Sequence, residues 1–332
     1  MSSRRRASSA PATPPANVRA QGRVFDSVLD LIGATPLVRL PRLVAAERLS
    51  ADLALKLEFL NPLGSVKDRV GLAMIEAAER NGQISPGRTT IVEATSGNTG
   101  LGLALAAAAK GYALTVVMPE GSAPNRAKML RLLGAKVDTT PARQGMAGAI
   151  GRAESLAART RGAWMARVFD NAANPDIHAA STAEEIWRDT AGEVGVVVAG
   201  VGTGGTLTGI GRALKPRRPS LRIVGVEPAE SAVLSGDEPG PHQIQGIGPG
   251  FRPSVLDLGQ LDEVRAVSEA EAIAAARRCA ALDGLAIGLS SGAVLHAMID
   301  VAKAPTGQGR LIVGVAASSA ERYLSTALFD GL

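Results

Sequence analysis

Along the chain, apolar and polar positions alternate first over residues 53–59, with Leu53, Leu55, Leu57 and Phe59 on one side and Ala54, Lys56 and Glu58 on the other. Period two predicts a strand with one face in the core and one in water. The pattern then changes to a helical one from about Val66 to Asn81, where Ser65 and Asp68 have capping-box spacing and Gly82 stands at the expected C-terminal position. Strands and helices then follow at βα spacing. The strands are Thr90–Ala94, Leu114–Met118 and Lys136–Thr140; the helices run to about Gly111, over Ala123–Leu133 and over Gln144–Ala158. Near Asn171 a second lobe begins. It comprises a helix over about Ile177–Thr190, strand Val194–Val201, a helix to Leu214, strand Leu221–Val226, helix Glu269–Leu282, a helix opening at Ser290 and strand Leu311–Val315. Such alternation predicts an α/β chain with two mostly parallel sheets flanked by helices. Residues 228–262, rich in Gly, Pro and Ser, are too long for an idle connection and read as a candidate active-site loop.

Composition sharpens this picture in two places. The 332-residue chain is 46% hydrophobic with 38 glycines and few aromatics, so its core rests on Ala, Val, Leu and Ile, as strands buried on both faces require. Its net charge of +5 is local: Arg4, Arg5, Arg6, Arg19 and Arg23 fall in a stretch without carboxylates. The remainder holds 31 basic residues, from a total of 36, against 31 acidic ones. Nucleic acid is therefore not an expected partner. Residues 1–23 read as a disordered basic tail, with a transit peptide as the open alternative. No apolar run approaches a membrane span, which predicts a soluble, cytoplasmic protein. The single cysteine, Cys279, lies in an Ala/Arg helical run and reads as a packing residue; His178, His242 and His296 are scattered, so no metal site is expected.

Three strand ends feed loops of Gly, Ser, Thr and Asn that open helices: Thr95-Ser96-Gly97-Asn98-Thr99-Gly100, Gly202-Thr203-Gly204-Gly205-Thr206 and Ser290-Ser291-Gly292-Ala293. Ligands of parallel sheets bind at such carboxyl ends, where helix N-termini offer free N–H groups, so the three loops can converge on one anion. The second loop has two readings. As a nest of backbone donors it cradles a phosphate. As a nucleotide site it needs a third glycine where Leu207 stands and an acid such as Glu227 for a ribose. The first loop is an Asx-turn cap or a carboxylate cradle, and Ser290 a plain N-cap or a partner for a pyridine nitrogen. Lys67, on the first turn of a helix after Asn61-Pro62-Leu63-Gly64-Ser65-Val66, is alone an ordinary surface lysine. There it opposes the helix dipole by about 0.3–1 kcal/mol. Facing a donor-lined pocket, the same amine suits Schiff-base chemistry with an aldehyde cofactor, first holding it and then acting as a base.

Taken together, five elements in order (NPLGSVKDR, TSGNTG, VGTGGTLTG, Gln245-Gly246-Ile247-Gly248 and SSGA) resemble the cysteine synthase (O-acetylserine sulfhydrylase) and cystathionine β-synthase family of fold-type II pyridoxal-phosphate enzymes. The likeness runs from Asp26-Ser27 and Ile32-Gly33-Ala34-Thr35-Pro36-Leu37 to Glu321-Arg322-Tyr323-Leu324-Ser325-Thr326. It implies a two-lobed, tryptophan synthase β-like fold: a smaller mobile domain over 61–170, and a larger cofactor-anchoring one over 24–60 plus 171–330. Lys67 would carry pyridoxal 5'-phosphate. Asn98 would contact its phenolic oxygen, Gly202, Thr203, Gly204, Gly205 and Thr206 its phosphate, and Ser290 its ring nitrogen. Thr95, Ser96, Gly97 and Thr99 would bind the amino-acid carboxylate. The implied reaction is O-acetylserine plus sulfide giving cysteine and acetate, in a homodimer whose cavity receives the C-terminus of serine acetyltransferase. Two departures stand out. Val168 replaces a customary Gln before Phe169, a charge-assisted hydrogen bond worth about 1.5–3 kcal/mol; Ala317-Ser318-Ser319-Ala320 replaces a Pro-Asp-x-Gly stretch. Both bear on the substrate, leaving open a related β-replacement or β-elimination enzyme with another nucleophile or activated serine. A cofactor-loaded but idle serine acetyltransferase binder is the further alternative.

Overall fold

A computed structural model describes residues 24–122 and 124–332; the basic tail over 1–23 lies outside them. Ten strands form two sheets. The larger runs in the order β1 (Leu37–Arg39), β2 (Asp52–Leu57), β10 (Leu311–Ala316), β7 (Val194–Gly200), β8 (Arg222–Pro228) and β9 (Glu263–Val267). All its neighbours pair in parallel except β1 with β2. The smaller sheet is wholly parallel: β5 (Lys136–Thr140), β4 (Ala113–Pro119), β3 (Thr90–Ala94) and β6 (Ala163–Met165). Helices α1 (Pro41–Glu47), α2 (Lys67–Arg80), α3 (Asn98–Lys110), α4 (Pro124–Leu132) and α5 (Gly145–Arg159) precede β6. After it come α6 (Ala173–Ile177), α7 (Ala183–Asp189), α8 (Gly205–Leu214), α9 (Glu269–Asp283) and α10 (Leu289–Lys303). The α/β architecture is the expected one.

Valines explain the centre of the large sheet. In β7, Val194, Val196, Val197 and Val198 are fully buried on both faces, the condition of a parallel strand covered by helices on each side. On one face Val196 and Val198 join Leu53, Leu55 and the apolar side of α10. On the other, Val194 and Val197 pack with Leu207, Ile210 and Ile186. Leu207 thus serves this core, and Glu227 is spent on its own loop, accepting from the amides of Leu234 (2.7 Å) and Ser235 (2.9 Å). Neither supports the nucleotide reading.

Strand β2 corrects the alternation argument. Its predicted water-facing side is buried too, with Lys56 and Glu58 both at 0% exposure. Lys56 Nζ donates to Glu185 Oε2 at 2.6 Å and to the Thr35 carbonyl. Arg69 donates to both Glu58 (2.8 and 2.9 Å) and Glu185 (2.7 Å twice). The charges compensate one another inside the protein, which a single strand's pattern cannot reveal.

Two helix ends also differ from expectation. Ser65 and Asp68 form no capping box: Ser65 Oγ accepts from the Lys67 amide (3.3 Å), whereas Asp68 Oδ2 reaches back to the Leu63 amide (2.7 Å). The helix expected from Ile177 starts at Ala173 and passes through a π-helical turn at His178–Thr182 before α7. His178, the first residue of that turn, is fully buried.

Helices α2 and α3 meet backbone to backbone. A Cβ on Gly71 would fall on the Gly102 carbonyl group, and one on Gly102 would fall on the Lys67 carbonyl. Only glycine permits this approach. It sets the first turn of α2, and with it Lys67, directly beside the loop that opens α3.

Candidate active site

The carboxyl ends of β3, β7 and β10 converge on a cavity of about 260 Å³; the Ser290 segment, expected to follow a strand, instead opens α10 directly after α9. Of the twelve residues singled out from the sequence, eleven line the cavity: Lys67, Thr95, Ser96, Gly97, Asn98, Thr99, Gly202, Thr203, Gly204, Thr206 and Ser290. Gly205 sits behind the wall, its Cβ position occupied by the Asn174 amide. The loop between β8 and β9 contributes Gly246, Ile247, Pro249 and Phe251, so it does reach the site.

Lys67 is the only charged residue among the described ones on the cavity wall. Its amine makes no hydrogen bond or ion pair with any described residue, and burial alone pushes its pKa down from 10.5 to about 8. The cavity therefore holds an amine that is easily neutral, hence nucleophilic and basic. Next to it, Asp68 faces away, and burial raises its carboxyl to about 7.

Opposite stands a cradle of main-chain donors. Gly204 adopts the left-handed conformation (φ +81°) and caps α8, so the first N–H groups of that helix are presented at the wall. Its neighbours are fixed from behind. Thr203 Oγ1 accepts from Asn174 Nδ2 (2.9 Å) and from the Gly205 amide (3.4 Å). Thr206 Oγ1 pairs with His178 Nε2 (3.2 Å), whose Nδ1 meets Thr182 Oγ1 (2.9 Å). Burial holds the His178 pKa well below its usual value, leaving a neutral ring. Without Lys or Arg, the cradle can hold a phosphate through backbone donors and the helix dipole. An aldehyde that also carries a phosphate fits this wall: main-chain donors, an amine without a counter-ion and the Ser290 hydroxyl, which engages no described residue, all line the one cavity.

Sequence reasoning missed two arginines beside the cavity. Arg322 Nη1 donates to Asn98 Oδ1 at 2.9 Å. This occupies the amide oxygen and leaves the Asn98 NH2 group as the donor available to the cavity. Arg126, on α4, donates to the Ser96 carbonyl (3.4 Å) and to Gln245 Oε1 (3.0 Å), and lies 5.8 Å from the Tyr323 ring centroid. Arg322 and Tyr323 stand in the Glu321–Thr326 run and Gln245 in the Gly-Ile-Gly run, so position within a motif was the available signal; for Arg126 there was none. Val168 is buried in the wall and gives its carbonyl to Asn174 Nδ2 (3.0 Å). Ala317 also lines the cavity, while Ser318 Oγ pairs with Tyr323 Oη (2.8 Å).

The remaining titratable groups add no second centre. Cys279 is fully buried, with its thiol pushed up to about 12 by burial, as befits a packing residue. Among the described residues, no three His, Cys, Asp or Glu side chains are grouped to hold a metal ion.

Known proteins give this geometry a context. The family described as pyridoxal-phosphate dependent enzyme matches residues 28–323. Cysteine synthase of Staphylococcus aureus (strain Mu50 / ATCC 700699) is 46% identical over 306 residues, covering 92% of this chain and 97% of that protein. The crystal structure of cysteine synthase (OASS) from Entamoeba histolytica superposes with a TM-score of 0.90 at 38% identity, over 97% of this chain and 94% of that one. O-acetylserine dependent cystathionine beta-synthase from Helicobacter pylori gives a TM-score of 0.86 at 36% identity, over 92% and 99%.

Proposed function

The chain belongs to the pyridoxal-phosphate-dependent enzymes, in their cysteine synthase family, and from this we infer that it catalyses β-replacement on O-acetyl-L-serine, with sulfide giving L-cysteine and acetate. The observation that carries the reading is the amine of Lys67, half-buried without a counter-ion among the described residues, in a cavity that the Gly204 cradle also lines. Bound pyridoxal phosphate supplies the electron sink that acidifies the substrate α-carbon.

The chain's own residues do the rest. Lys67 Nζ would hold the cofactor through its aldehyde and, once displaced by the substrate amine, would be the base available for the α-proton; its lowered pKa in the empty cavity marks an amine that gives up its proton readily. The overall exchange replaces the acetate on the β-carbon by sulfide. Thr95, Ser96, Gly97 and Thr99 would orient the carboxylate. The NH2 group of Asn98, its oxygen being held by Arg322, would support the ring oxygen. The neutral Ser290 hydroxyl would serve the ring nitrogen without protonating it, giving a weaker sink than a carboxylate partner and favouring β-elimination over transamination. Gly202 through Thr206 would hold the phosphate.

A second reading, β-replacement with another nucleophile or activated serine, is favoured by Val168 and Ala317 on the wall, neither of which offers a side-chain hydrogen bond to a polar substrate. The Helicobacter pylori relative shows that this fold accommodates such an enzyme. A visible spectrum before and after O-acetylserine, followed by turnover with sulfide, thiosulfate, homocysteine and amines, tests both. No spectral response would remove the first reading, and turnover only with a nucleophile other than sulfide would establish the second.

Finer features complete the proposal. Residues 61–170 form the smaller mobile domain, supported by all four strands of the small sheet falling within them. The larger domain is 24–60 plus 171–330. The enzyme is a cytoplasmic homodimer whose cavity mouth receives the C-terminus of serine acetyltransferase. Among the described residues, no helix is long and apolar enough to cross a membrane. Size-exclusion chromatography with and without that peptide checks the assembly.

A further inference from the structure

The substrate brings a carboxylate into a cavity whose one charged wall residue, Lys67, is committed to the cofactor. Val168, on the same wall, contributes no donor from its side chain. Neutral hydroxyls and amides of the 95–99 loop must then receive the anion, and their aim depends on how that loop is held. Thr95 Oγ1 fixes the Gly97 amide from inside the loop (3.1 Å). From outside, the loop is gripped by Arg126, whose Nη1 donates to the Ser96 carbonyl (3.4 Å).

Arg126 is itself anchored across the cleft. Its Nη2 donates to Gln245 Oε1 at 3.0 Å, and its guanidinium lies 5.8 Å from the centroid of Tyr323, which lines the cavity. One side chain thus ties the carboxylate loop to Gln245 of the 228–262 loop and to Tyr323. A guanidinium so placed does two things. It holds the Ser96 carbonyl, and so fixes the loop whose donors line the cavity. It also sets a positive charge beside the loop that would receive the carboxylate.

We propose that Arg126 is a specificity-determining positioning residue, which holds the 95–99 loop in the form that selects an α-carboxylate. This rests on the functional reading above.

The test is a visible-absorbance titration of the holoenzyme with O-acetylserine, alongside steady-state kinetics. For Arg126→Met the expected result is a half-saturating concentration and KM raised about tenfold to a hundredfold, the range for losing a hydrogen bond to a charged group, with turnover at saturation little changed. The resting visible band should keep its position and intensity. Arg126→Lys should recover part of the affinity, and Gln245→Ala should raise KM by less than Arg126→Met. Added salt should weaken binding to the wild type but not to Arg126→Met, a signature that a merely structural role would not produce. Unchanged half-saturation in Arg126→Met, or loss of its resting band, would overturn the proposal. A wild type that does not respond to O-acetylserine would instead count against the functional reading.

Discussion

Lys56 and Lys67 lie close in sequence, the first fully buried and the second half-buried in a cavity wall, and the protein treats them in opposite ways. Lys56, at the end of β2, is fully buried and matched: Glu185 at 2.6 Å, Asp189 at 3.9 Å and the Thr35 carbonyl surround its ammonium. Burial lowers its pKa, and Glu185 opposes that shift. Lys67 meets no carboxylate, so nothing offsets desolvation and its pKa falls to about 8. The difference is one of partners. A fold that needs a charge as a structural tie places anions around it, whereas a fold that needs a reactive amine withholds them.

The sharpest break of this comparison is Lys67→Ala. Without the amine, the holoenzyme should lose the visible band of its covalently held cofactor, and turnover should fall by at least about a thousandfold, within the range for removing a positioned general base. Folding should be unharmed, since a half-buried amine without a counter-ion is removed. Absorbance and steady-state rates check the first part and denaturant unfolding the second. A variant that retained full activity would end the assignment of Lys67.

On the matched side the effect should move from catalysis to stability. Arg69→Met leaves Glu58 and Glu185 facing each other without their shared cation, and should cost about 3–5 kcal/mol in denaturant unfolding. Lys56→Met should cost less, about 1–3 kcal/mol, because Arg69 still holds Glu185 through two contacts of 2.7 Å. In both variants, whatever protein folds should keep the visible band. If Arg69→Met lost the band while retaining stability, the charge cluster and the cavity amine would not be separable.

How legible each lysine was in the sequence follows from the same contrast. Lys67 could be found because its surroundings are local: a loop, a helix start, and two other Gly/Ser/Thr loops at strand ends, all of which periodicity and turn chemistry expose. Seven of the ten strands among the described residues and most of the helices were legible for the same reason. Lys56 was misread as solvent-facing, because alternation reports which positions share a face and not what covers it. Its cover comes from α7, and Arg69 reaches Glu185 over 116 residues of chain. Arg126 and Arg322 escaped notice likewise, their roles being set by contacts 30 and 224 residues distant. Strands β1 and β6, of three residues each, strand β9, the short helix α1 and the π-helical turn before α7 went unread, carrying too little pattern.

The finest distinction between the two lysines is in pH. Consider the chain stripped of its cofactor. In the unfolded chain Lys67 binds its proton up to about 10.5, and in the folded chain only up to about 8. Between these values the unfolded state holds more protons, so the contribution of Lys67 to stability must rise with pH across this window and be flat below it. Because Lys67 is half-buried rather than sealed, solvent screening should keep the effect below the about 3 kcal/mol of a full shift from 10.5 to about 8. It is best read as a difference: Lys67→Ala should be more stable than the wild type below pH 8, with the gap closing towards 10.5. Denaturant unfolding at a series of pH values measures it. A gap of constant size would mean that the cavity does not desolvate this amine, and that the contrast with Lys56 lies in geometry alone.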